Sequence, residues 1–211
     1  MKDLIVVGGG GFAKEIIWLA NECGRTVKGV LDDDSSMLGK SVGATKVVGA
    51  VSDWLGFSEC DFVIAIGSPR TRYAVLNKMN KLGVPVFTTL IHPSVIKSAC
   101  AVIGEGSIIC AGTIITVETK VGAHCILNLN VTVGHETILD DFVTIAPMVA
   151  VSGNVKAECF VEIGTGAVLK QGLTLCRGSM LGMGGVLTKN IPEFFIFAGN
   201  PAKKLKELPE I

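Results

Sequence analysis

The sequence predicts a mixed fold in which an α/β domain (residues 1–92) precedes a parallel β-helix (residues 93–192) and a C-terminal cap with a short helix (residues 193–211). Two patterns support this prediction. A glycine-rich turn separates a strand pattern from a helix pattern near the start, and an aliphatic or alanine residue occupies every sixth position from Ile103 to Leu187. A six-residue period fits neither an α-helix nor a single strand, and it is typical of a β-helix.

The α/β domain begins with Leu4–Val7, a short apolar run that predicts a buried parallel strand. Gly8, Gly10 and Ala13 then satisfy the pattern G-x-G-x-x-A, and apolar residues recur at helical spacing from Phe12 to Cys23. A strand, a glycine turn and a helix in this order predict a ligand-binding loop. The alternative is that the glycines only permit tight packing.

Three aspartates end the next predicted strand, which runs from Thr26 to Leu31. Asp32, Asp33 and Asp34 lie at about the distance from the glycines at which a ribose-binding acid is expected. Only about ninety residues precede the hexads, whereas a dinucleotide fold needs two mononucleotide halves. Because there is room for one half, the sequence favours a mononucleotide or a nucleotide-sugar over a nicotinamide cofactor.

Two further apolar strands, Asp61 to Ile66 and Val84 to Phe87, are predicted to complete the domain, with a helix through Lys81 between them. Arg70 and Arg72 follow the carboxyl end of the first of these strands. Ligands gather at that end in open α/β sheets, so either arginine could meet a phosphate. A solvated charged face is the alternative for both side chains.

In the β-helix, three hexads are expected to close one triangular coil, so that residues eighteen apart stack. The residue two places before each aliphatic position is mostly small or β-branched, and both should point into the coil because they lie two apart on an extended segment. These inward residues are Ser107, Thr113, Thr119, Val131, Thr137, Val143, Val149, Val155 and Val161. The residues between them are rich in Gly, Asn, Asp and Glu, which suits corners.

The end of the chain is predicted to close the β-helix. The apolar run Phe194–Phe197 is expected to cover the last coil or a neighbouring subunit. Pro201–Leu208 is expected to form a short helix with a basic face made by Lys203, Lys204 and Lys206.

Composition excludes several classes of partner. The 211 residues include 19 Lys and Arg and 19 Asp and Glu, so neither nucleic acid nor an anionic membrane is expected as the main partner. No apolar run approaches the roughly 20 residues of a membrane span, so no membrane insertion is expected. The seven cysteines form no C-x-x-C pair and no disulfide-like framework, which favours reduced thiols and a cytoplasmic protein.

The chain has three histidines, His92, His124 and His135, and their spacing suggests no metal cluster. His92 is expected to be structural, and His124 is expected to be a surface residue at a corner. No serine lies in a G-x-S-x-G elbow, so direct transfer from an activated donor is favoured over a covalent intermediate.

His135 has a different setting from the other two histidines. Counting in eighteens places Gly153 one coil above it and Val117 one coil below, so open space is expected over the imidazole. An imidazole near its ordinary pKa can take a proton from an amine or a hydroxyl at neutral pH, and Glu136 is the obvious carboxylate to orient it. Adjacent residues on a strand point to opposite faces, so the pair works only if the corner turns them together. From the residues alone, a catalytic and a structural His135 remain equally open.

Motifs along the whole chain make it resemble the hexapeptide-repeat acyltransferases related to bacterial sialic-acid O-acetyltransferases and nucleotide-aminosugar N-acetyltransferases. These motifs are the hexads together with VVGGGGFAKEI, VLDDD, AIGSPRTR, LIHPS, GHE and AGNPAKKLKE. The resemblance implies a left-handed parallel β-helix, a homotrimer and acetyl-coenzyme A bound between neighbouring β-helices, without a metal. It also implies that the N-terminal domain is a half-Rossmann unit that holds a nucleotide-sugar.

The resemblance also assigns roles by position. It implies that His135 is the general base and Glu136 its partner. The implied cofactor contacts are Asn128, Thr144, Gly153, Gly164, Gly182, Met183, Gly199 and Lys203. The implied nucleotide contacts are Gly8, Gly10, Gly11, Asp32, Asp33, Gly67 and Arg72. Phe12 and Thr144 depart from the family, which commonly has histidine at both positions, and the second departure would remove one cofactor contact.

The expected activity is acetyl transfer from acetyl-coenzyme A to the amine of a nucleotide-linked amino sugar, with a 4-amino-4,6-dideoxyhexose as the expected sugar. One alternative is O-acetylation of sialic acid or another sugar hydroxyl by the same base. A second alternative is a non-catalytic β-helix assembly module that binds nucleotide-sugars without turnover.

Overall fold

The computed structural model describes residues 2–211, which divide between Pro93 and Ser94 into two compact units. The first unit is an α/β sandwich and the second is a parallel β-helix. The C-terminal residues 193–211 belong to the second unit.

The first unit has a five-stranded sheet in the order β3-β4-β2-β1-β5, parallel except for the pairing of β3 with β4. Its elements are β1 (Leu4–Val7), α1 (Gly11–Glu22), β2 (Val27–Leu31), a 3₁₀ helix (Ser35–Met37), β3 (Ser41–Val42), β4 (Thr45–Gly49), a 3₁₀ helix (Val51–Phe57), β5 (Asp61–Ile64), α2 (Pro69–Asn80) and β6 (Leu90–Ile91). All four residues of β1 are fully buried, as expected for a central strand that is covered on both faces.

The predicted strand Val84 to Phe87 is wrong as a regular element. Only Phe87 forms a bridge, with Phe62, and the Phe62 N–H donates to the Val86 carbonyl at 2.9 Å. Pro85 has no N–H to donate, and Val84 is 90% exposed, so the segment lies along the outer side of β5 without forming a full ladder. The predicted strand Asp61 to Ile66 ends two residues earlier, at Ile64.

The second unit confirms the six-residue interpretation. Sixteen strands of two residues each make up the coils: β7 (Ile96–Lys97), β8 (Val102–Ile103), β9 (Ile108–Ile109), β10 (Ile114–Ile115), β11 (Lys120–Val121), β12 (Ile126–Leu127), β13 (Thr132–Val133), β14 (Ile138–Leu139), β15 (Thr144–Ile145), β16 (Ala150–Val151), β17 (Lys156–Ala157), β18 (Glu162–Ile163), β19 (Val168–Leu169), β20 (Thr174–Leu175), β21 (Met180–Leu181) and β22 (Val186–Leu187). They form three parallel sheets, one for each side of the triangular coil. From β7 to β19, each strand pairs with the strand eighteen residues later, as Ile114 does with Thr132.

We name the three sides by their sheets. Side one contains β9, β12, β15, β18 and β21, side two contains β7, β10, β13, β16, β19 and β22, and side three contains β8, β11, β14, β17 and β20. The chain passes through them in the order one, two, three within each coil.

The inward positions are buried as predicted, and the polar ones are satisfied within the coil. Ser107, Thr113 and Thr137 are fully buried. The Ser107 hydroxyl donates to the Gly122 carbonyl at 2.9 Å, and the Thr113 hydroxyl donates to the Asn128 carbonyl at 3.0 Å. Because a buried hydroxyl needs a partner, these bonds explain how serine and threonine occupy core positions.

The corners place non-glycine residues in the left-handed region at intervals of six or multiples of six. Glu118, His124, Asn130 and Glu136 have φ between 53° and 58°. A positive φ is uncommon for residues other than glycine, so the repeated corner conformation is imposed by the coil. This conformation turns neighbouring side chains relative to one another at each corner.

The expectation that His124 is a surface residue is wrong. Its side chain is buried, with 4% of the residue exposed, and its ring stacks on Phe142 at 5.2 Å between centroids. Phe142 in turn stacks on Phe160 at 5.4 Å. The three residues are eighteen apart, so the coil places their rings in one column, where each ring covers the next.

The predicted C-terminal helix is also wrong. Lys203–Glu207 forms a strand, β24, which pairs antiparallel with β23 (Phe195–Ala198), and β23 pairs parallel with β21. The edge of β23 offers backbone partners to a following strand, whereas a short isolated helix gains little in water. Lys204 also places its ammonium 3.9 Å from the Phe195 ring centroid.

Candidate functional site

His135 and Glu136 form a pair at the corner between sides two and three. The imidazole Nδ1 lies 2.9 Å from the Glu136 Oε2. Glu136 has φ 58°, and this left-handed corner turns its side chain toward the neighbouring ring. The requirement that the corner bring the two adjacent side chains together is therefore met.

The backbone around the pair is held by the coils above and below. The Glu136 N–H donates to the Val117 carbonyl at 3.1 Å, and the Asn154 N–H donates to the His135 carbonyl at 2.7 Å. The two side chains remain accessible, with 48% and 58% of their surfaces exposed. A rigid backbone thus carries two exposed side chains that contact each other.

Gly153 lies directly above the imidazole, as the eighteen-residue count predicts. A Cβ built at Gly153 would overlap the His135 ring, with Nε2 the nearest atom. The absence of a side chain at Gly153 therefore leaves the Nε2 edge of the ring open. When Nδ1 carries the proton and donates to Glu136, Nε2 presents a lone pair to that space.

The residues expected to contact the cofactor lie mostly along side one and the corner that follows it. Asn128 donates its N–H to the Ile145 carbonyl, Gly164 to the Leu181 carbonyl and Gly182 to the Phe197 carbonyl, which places the three in one column. Thr144 is 8% exposed on β15 of the same side, and Met183 is 79% exposed beside Gly182. These five residues form one continuous strip, which we call the side-one strip.

Gly199 and Lys203 flank the turn between β23 and β24. The Val186 N–H donates to the Gly199 carbonyl at 3.0 Å, and Lys203 is the register partner of Ala198. Lys203 is exposed. The turn therefore adds one accessible cation to the end of side one.

The structure does not bring all the expected residues of the β-helix together within one chain. His135, Glu136 and Gly153 follow strands of side two, whereas the side-one strip lies at the preceding corner. Side two separates the two groups.

In the α/β unit, the glycine loop joins β1 to α1. Gly8 has φ 101°, a conformation that favours glycine, and a Cβ there would contact Ile66. Gly10 is the N-cap of α1, and no heavy atom lies within 4 Å of a Cβ built at Gly10 or Gly11. The loop therefore presents an open helix N-terminus of the kind that binds phosphate groups.

The aspartates after β2 are engaged within the chain. Asp32 accepts hydrogen bonds from the N–H groups of Gly9 and Asp34. Asp33 accepts one from the Val51 N–H at 3.1 Å, and its carboxylate pairs with the Lys78 ammonium at 2.7 Å. Asp32 thus holds the glycine loop against β2, and Asp33 is half-exposed beside a cation.

Arg72 holds the loop that contains Gly67. Its guanidinium donates to the Ile66 carbonyl at 2.6 Å and to the Gly67 carbonyl at 3.0 Å, and the residue is 1% exposed. Ser68 caps α2 by accepting a hydrogen bond from the Thr71 N–H. The buried guanidinium therefore faces the chain's own carbonyls at the carboxyl end of β5.

A cavity beside Glu136 was missed at the sequence level. It has a volume of about 430 Å³, and its lining consists of Cys100, Val102, Glu118, Lys120, Glu136 and Ile138. Counting backward from Glu136 in eighteens would have found Glu118 and Cys100. The hydrogen bond with the Ser98 hydroxyl, at 3.1 Å, is the main cause that lowers the pKa of the Cys100 thiol.

Neither a metal-binding cluster nor a membrane-spanning helix is found in the part of the chain that the structure describes. Within residues 2–211, no group of three or more His, Cys, Asp or Glu side chains is arranged to hold a metal ion. No helix in the same range has the length and apolar character that crossing a membrane requires.

Comparison with known proteins places both units among sugar acetyltransferases. The model of the PglD N-terminal domain matches residues 3–79. A GDP-perosamine N-acetyltransferase of Escherichia coli O157:H7 is 31% identical over 97% of this chain and 96% of its own. A UDP-N-acetylbacillosamine N-acetyltransferase of Bacillus subtilis is 36% identical over 53% of this chain and 52% of its own.

Solved structures agree with these relatives. A perosamine N-acetyltransferase of Caulobacter crescentus, crystallised as a histidine-to-asparagine mutant with CoA and GDP-perosamine, superposes with a TM-score of 0.91 at 27% identity over 98% of each chain. The acetyltransferase domain of PglB from Neisseria gonorrhoeae, in complex with acetyl coenzyme A, has a TM-score of 0.87 at 34% identity. That match covers 97% of this chain and 99% of the other.

Proposed function

This chain belongs to the hexapeptide-repeat acyltransferase family, and we propose that it transfers the acetyl group of acetyl-coenzyme A to the amine of a nucleotide-linked amino sugar. The similarity to GDP-perosamine and UDP-N-acetylbacillosamine N-acetyltransferases supports an amine acceptor on a nucleotide-sugar. We further propose that the sugar is a 4-amino-4,6-dideoxyhexose. The observation that carries the mechanism is the His135–Glu136 pair beneath Gly153.

His135 acts as the general base in this proposal. Glu136 accepts a hydrogen bond from the Nδ1–H group and so keeps the lone pair on Nε2, at the open edge of the ring. Nε2 takes a proton from the acceptor amine as the nitrogen–carbon bond to the acetyl group forms. The carbon–sulfur bond then breaks, and the same proton passes from His135 to the departing thiolate, which leaves the amide and the free thiol.

The Gly153 N–H is our candidate for stabilising the oxyanion of the tetrahedral intermediate. Among the described residues, no protein acceptor takes a hydrogen bond from this N–H, whereas the Gly153 carbonyl accepts one from Gly172. A fixed backbone donor next to the base is the arrangement that stabilises developing negative charge at low reorganisation cost.

The side-one strip is our candidate for holding acetyl-coenzyme A. Gly164 and Gly182 let neighbouring coils stack closely there, because a Cβ at either position would crowd the next coil, and Lys203 places a cation where a phosphate-bearing end would finish. We propose that Asn128, Met183 and Gly199 contribute the remaining contacts. Thr144 is the buried member of the strip.

In the α/β unit, we propose that the N-terminus of α1 at Gly10 and Gly11 receives the diphosphate of the nucleotide-sugar. Asp32 and Arg72 act by holding the glycine loop and the Gly67 loop in place. Asp33 is the candidate for binding the ribose, because its carboxylate is half-exposed. The ribose hydroxyls would replace the Lys78 ammonium as its partner.

We also propose that the chain acts as a homotrimer. Within one chain, the base and the side-one strip lie at different corners of the coil. A neighbouring copy would bring its strip to the His135 corner, which completes the site. Light scattering should then give about three times the 22.1 kDa chain mass.

Thiol release from acetyl-coenzyme A tests the activity. We expect release with a GDP-linked or UDP-linked amino sugar and none with free or polymeric sialic acid. Changing His135→Ala should lower the turnover number by about 10²- to 10⁴-fold, the range for losing a general base. His92→Asn serves as the control, because His92 is not among the residues of either proposed site and its ring packs against Trp18 at 5.6 Å between centroids, tilted by 42°.

The other outcomes decide between the alternatives. Release with sialic acid alone would make the protein an O-acetyltransferase. Binding of nucleotide-sugars without any thiol release would make it an assembly module. Near wild-type turnover in His135→Ala with a correct sugar would refute the proposed base.

A further inference from the structure

The outward column of side two carries no charged side chain. The first residue of each strand on this side points outward, and these residues are register partners from one coil to the next. In order, they are Ile96, Ile114, Thr132, Ala150, Val168 and Val186. Six strands spaced about 4.8 Å apart make the column about 24 Å long. None of the six is buried within the chain, and Ile96, Ile114 and Val168 are 66%, 38% and 45% exposed.

The other two sides differ from side two in charge or in burial. On side three, the outward column includes Lys120 and Lys156. On side one, Ile108, Ile126 and Thr144 are at most 8% exposed, so the chain itself covers that part of the column. An exposed apolar face on a soluble protein marks an interaction site. Side two is therefore the side most suited to a protein partner.

The two halves of the proposed site lie at the two corners that flank side two. The side-one strip ends at the corner before side two, and His135 lies at the corner after it. A contact between the first corner of one copy and the second corner of the next is heterologous, and such contacts form a ring when the rotation closes. In a ring of three, both corners of every copy meet a neighbour. Side two, which lies between these corners, then faces the common axis.

We propose that side two is the face through which three copies of this chain pack around a three-fold axis. This inference rests on the homotrimer in the proposed function and adds the surface that forms it. Ile114 and Ala150 of each copy then meet their equivalents in the other two copies, each at one height along the axis. Side three of one copy and side one of the next form the walls of an outward-facing cleft beside the His135 corner.

The opposite orientation of each copy is unfavourable on electrostatic grounds. It would turn the corner between sides three and one toward the axis. That corner carries Asp140, Asp141 and Glu158, so three copies would bring like charges together. The outward column of side two has no such charge, and its burial removes apolar side chains from water. Charge and apolar surface therefore select the same orientation as the divided site.

Ile114→Glu tests this face, and Ile138→Glu is its matched control. Both isoleucines are the first residue of a two-residue strand and both are 38% exposed, but Ile138 lies on side three. Ile114→Glu would place three carboxylates at one height around the axis, so the mass from light scattering should fall to that of one 22.1 kDa chain. Because this monomer lacks the neighbour's strip, it should release no thiol above background. Ile138→Glu should keep the wild-type mass, and circular dichroism should show an intact β-helix in both variants.

Cross-linking decides the question even if Ile114→Glu does not fold. In Ala150→Cys, the short thiol-to-thiol cross-linker bismaleimidoethane should join two of the three copies and give a two-chain band on a denaturing gel. The same treatment of Ile138→Cys should give no more of that band than the wild-type chain, whose own cysteines set the background. Peptide mapping by mass spectrometry should locate the link at position 150 of both chains.

The outcomes separate this inference from the proposed function. A three-chain mass in Ile114→Glu, with no link through position 150, would refute this face whatever the wild-type chain catalyses. Thiol release by a wild-type chain of one-chain mass would refute the trimer and this inference, and would leave acetyl transfer intact. Dissociation of Ile114→Glu alone and linkage through position 150, without thiol release by the wild-type chain, would support the face and refute the activity. Equal loss of mass in both glutamate variants, or equal linkage in both cysteine variants, would refute the assignment of side two.

Discussion

The His135 corner of the β-helix and the glycine loop of the α/β unit use their polar side chains in opposite ways. At the corner, His135 and Glu136 contact each other and remain about half-exposed. In the loop, Asp32 and Arg72 are engaged by the chain's own N–H and carbonyl groups. The first region leaves its side chains accessible, and the second uses its side chains to hold the backbone in place.

The difference follows from how each region obtains its backbone shape. In the β-helix, the ladder of hydrogen bonds between coils sets the corner conformation, as the bonds from Glu136 to Val117 and from Asn154 to His135 show. The side chains are then available for chemistry. The glycine loop and the Gly67 loop lack such a ladder, so Asp32 holds the first through hydrogen bonds and Arg72 holds the second.

Apart from the loss of the base in His135→Ala, the largest expected effect comes from Gly153→Ala, which tests whether the corner holds the imidazole rigidly. The new Cβ would overlap the His135 ring, so either the imidazole or the upper coil must move. A displacement of about 1 Å at a reacting group can cost about 10²-fold in rate. We expect turnover in the thiol-release assay to fall by about that factor, with little change in the melting temperature.

Gly56→Ala is the matched control for this substitution. No heavy atom lies within 4 Å of a Cβ built at Gly56, and the residue belongs to a 3₁₀ helix of the α/β unit. It should leave turnover and stability unchanged. Wild-type turnover in Gly153→Ala would mean that the corner adjusts freely, which would remove the contrast between the two regions.

Sequence reasoning reached the His135 corner because a repeat converts position into geometry. The period of six gave the coil, and the count of eighteen placed Gly153 over His135 before any contact was known. The same count, applied to His124, Phe142 and Phe160, would have shown that His124 lies in a buried ring column. The error there was to judge His124 by its local corner pattern alone.

Outside the repeat, residue type alone did not predict which way the side chains face. Arg72 follows a strand end where phosphates gather, yet its guanidinium is turned inward to two carbonyls. Lys203, Lys204 and Lys206 suggested a basic helix face, yet their backbone pairs with Phe195–Ala198 as a strand. In both cases backbone groups within about a dozen residues along the chain decided the outcome, and the residue types do not record that those groups lacked a partner.

A smaller effect is expected from Arg72→Ala, which tests whether the Gly67 loop depends on the Arg72 side chain for its conformation. The change leaves the carbonyls of Ile66 and Gly67 without their donor in a buried place. We expect a loss of about 2 kcal/mol in the free energy of unfolding, measured by denaturant titration. Nucleotide-sugar binding should weaken only to the extent that the loss of these hydrogen bonds disorders the Gly67 loop.

Arg72→Lys distinguishes a structural role for Arg72 from direct binding of a phosphate group. Lysine keeps the charge and loses the planar fork that reaches two carbonyls, so a supporting role predicts a clear loss of stability. A direct phosphate contact predicts near-normal stability, with weakened binding in Arg72→Ala that lysine partly restores. That second pattern would contradict the contrast drawn between the loop and the corner.

The smallest expected effect concerns the reactivity of two thiols, one from each unit. In the α/β unit, burial raises the pKa of the Cys23 thiol above its ordinary value. In the β-helix, the hydrogen bond with the Ser98 hydroxyl and the N–H of Glu118 lower the pKa of Cys100. Since the thiolate is the reactive form, Cys100 should reach half-maximal alkylation at a lower pH than Cys23.

Ser98→Ala removes the largest cause of the Cys100 shift. A donor that stabilises the thiolate is lost, so the pKa of Cys100 should rise and its alkylation profile should move to higher pH. The Cys23 profile should stay in place, because the hydrogen bond from its thiol goes to the Ile91 carbonyl within the other unit. Alkylation of both cysteines across a pH series, resolved by peptide mass spectrometry, measures the two profiles in one sample. In the wild-type chain, coincident alkylation profiles of Cys100 and Cys23 would show that the hydrogen-bond donors at this corner do not change the reactivity of the thiol. That result would count against a corner that presents reactive side chains.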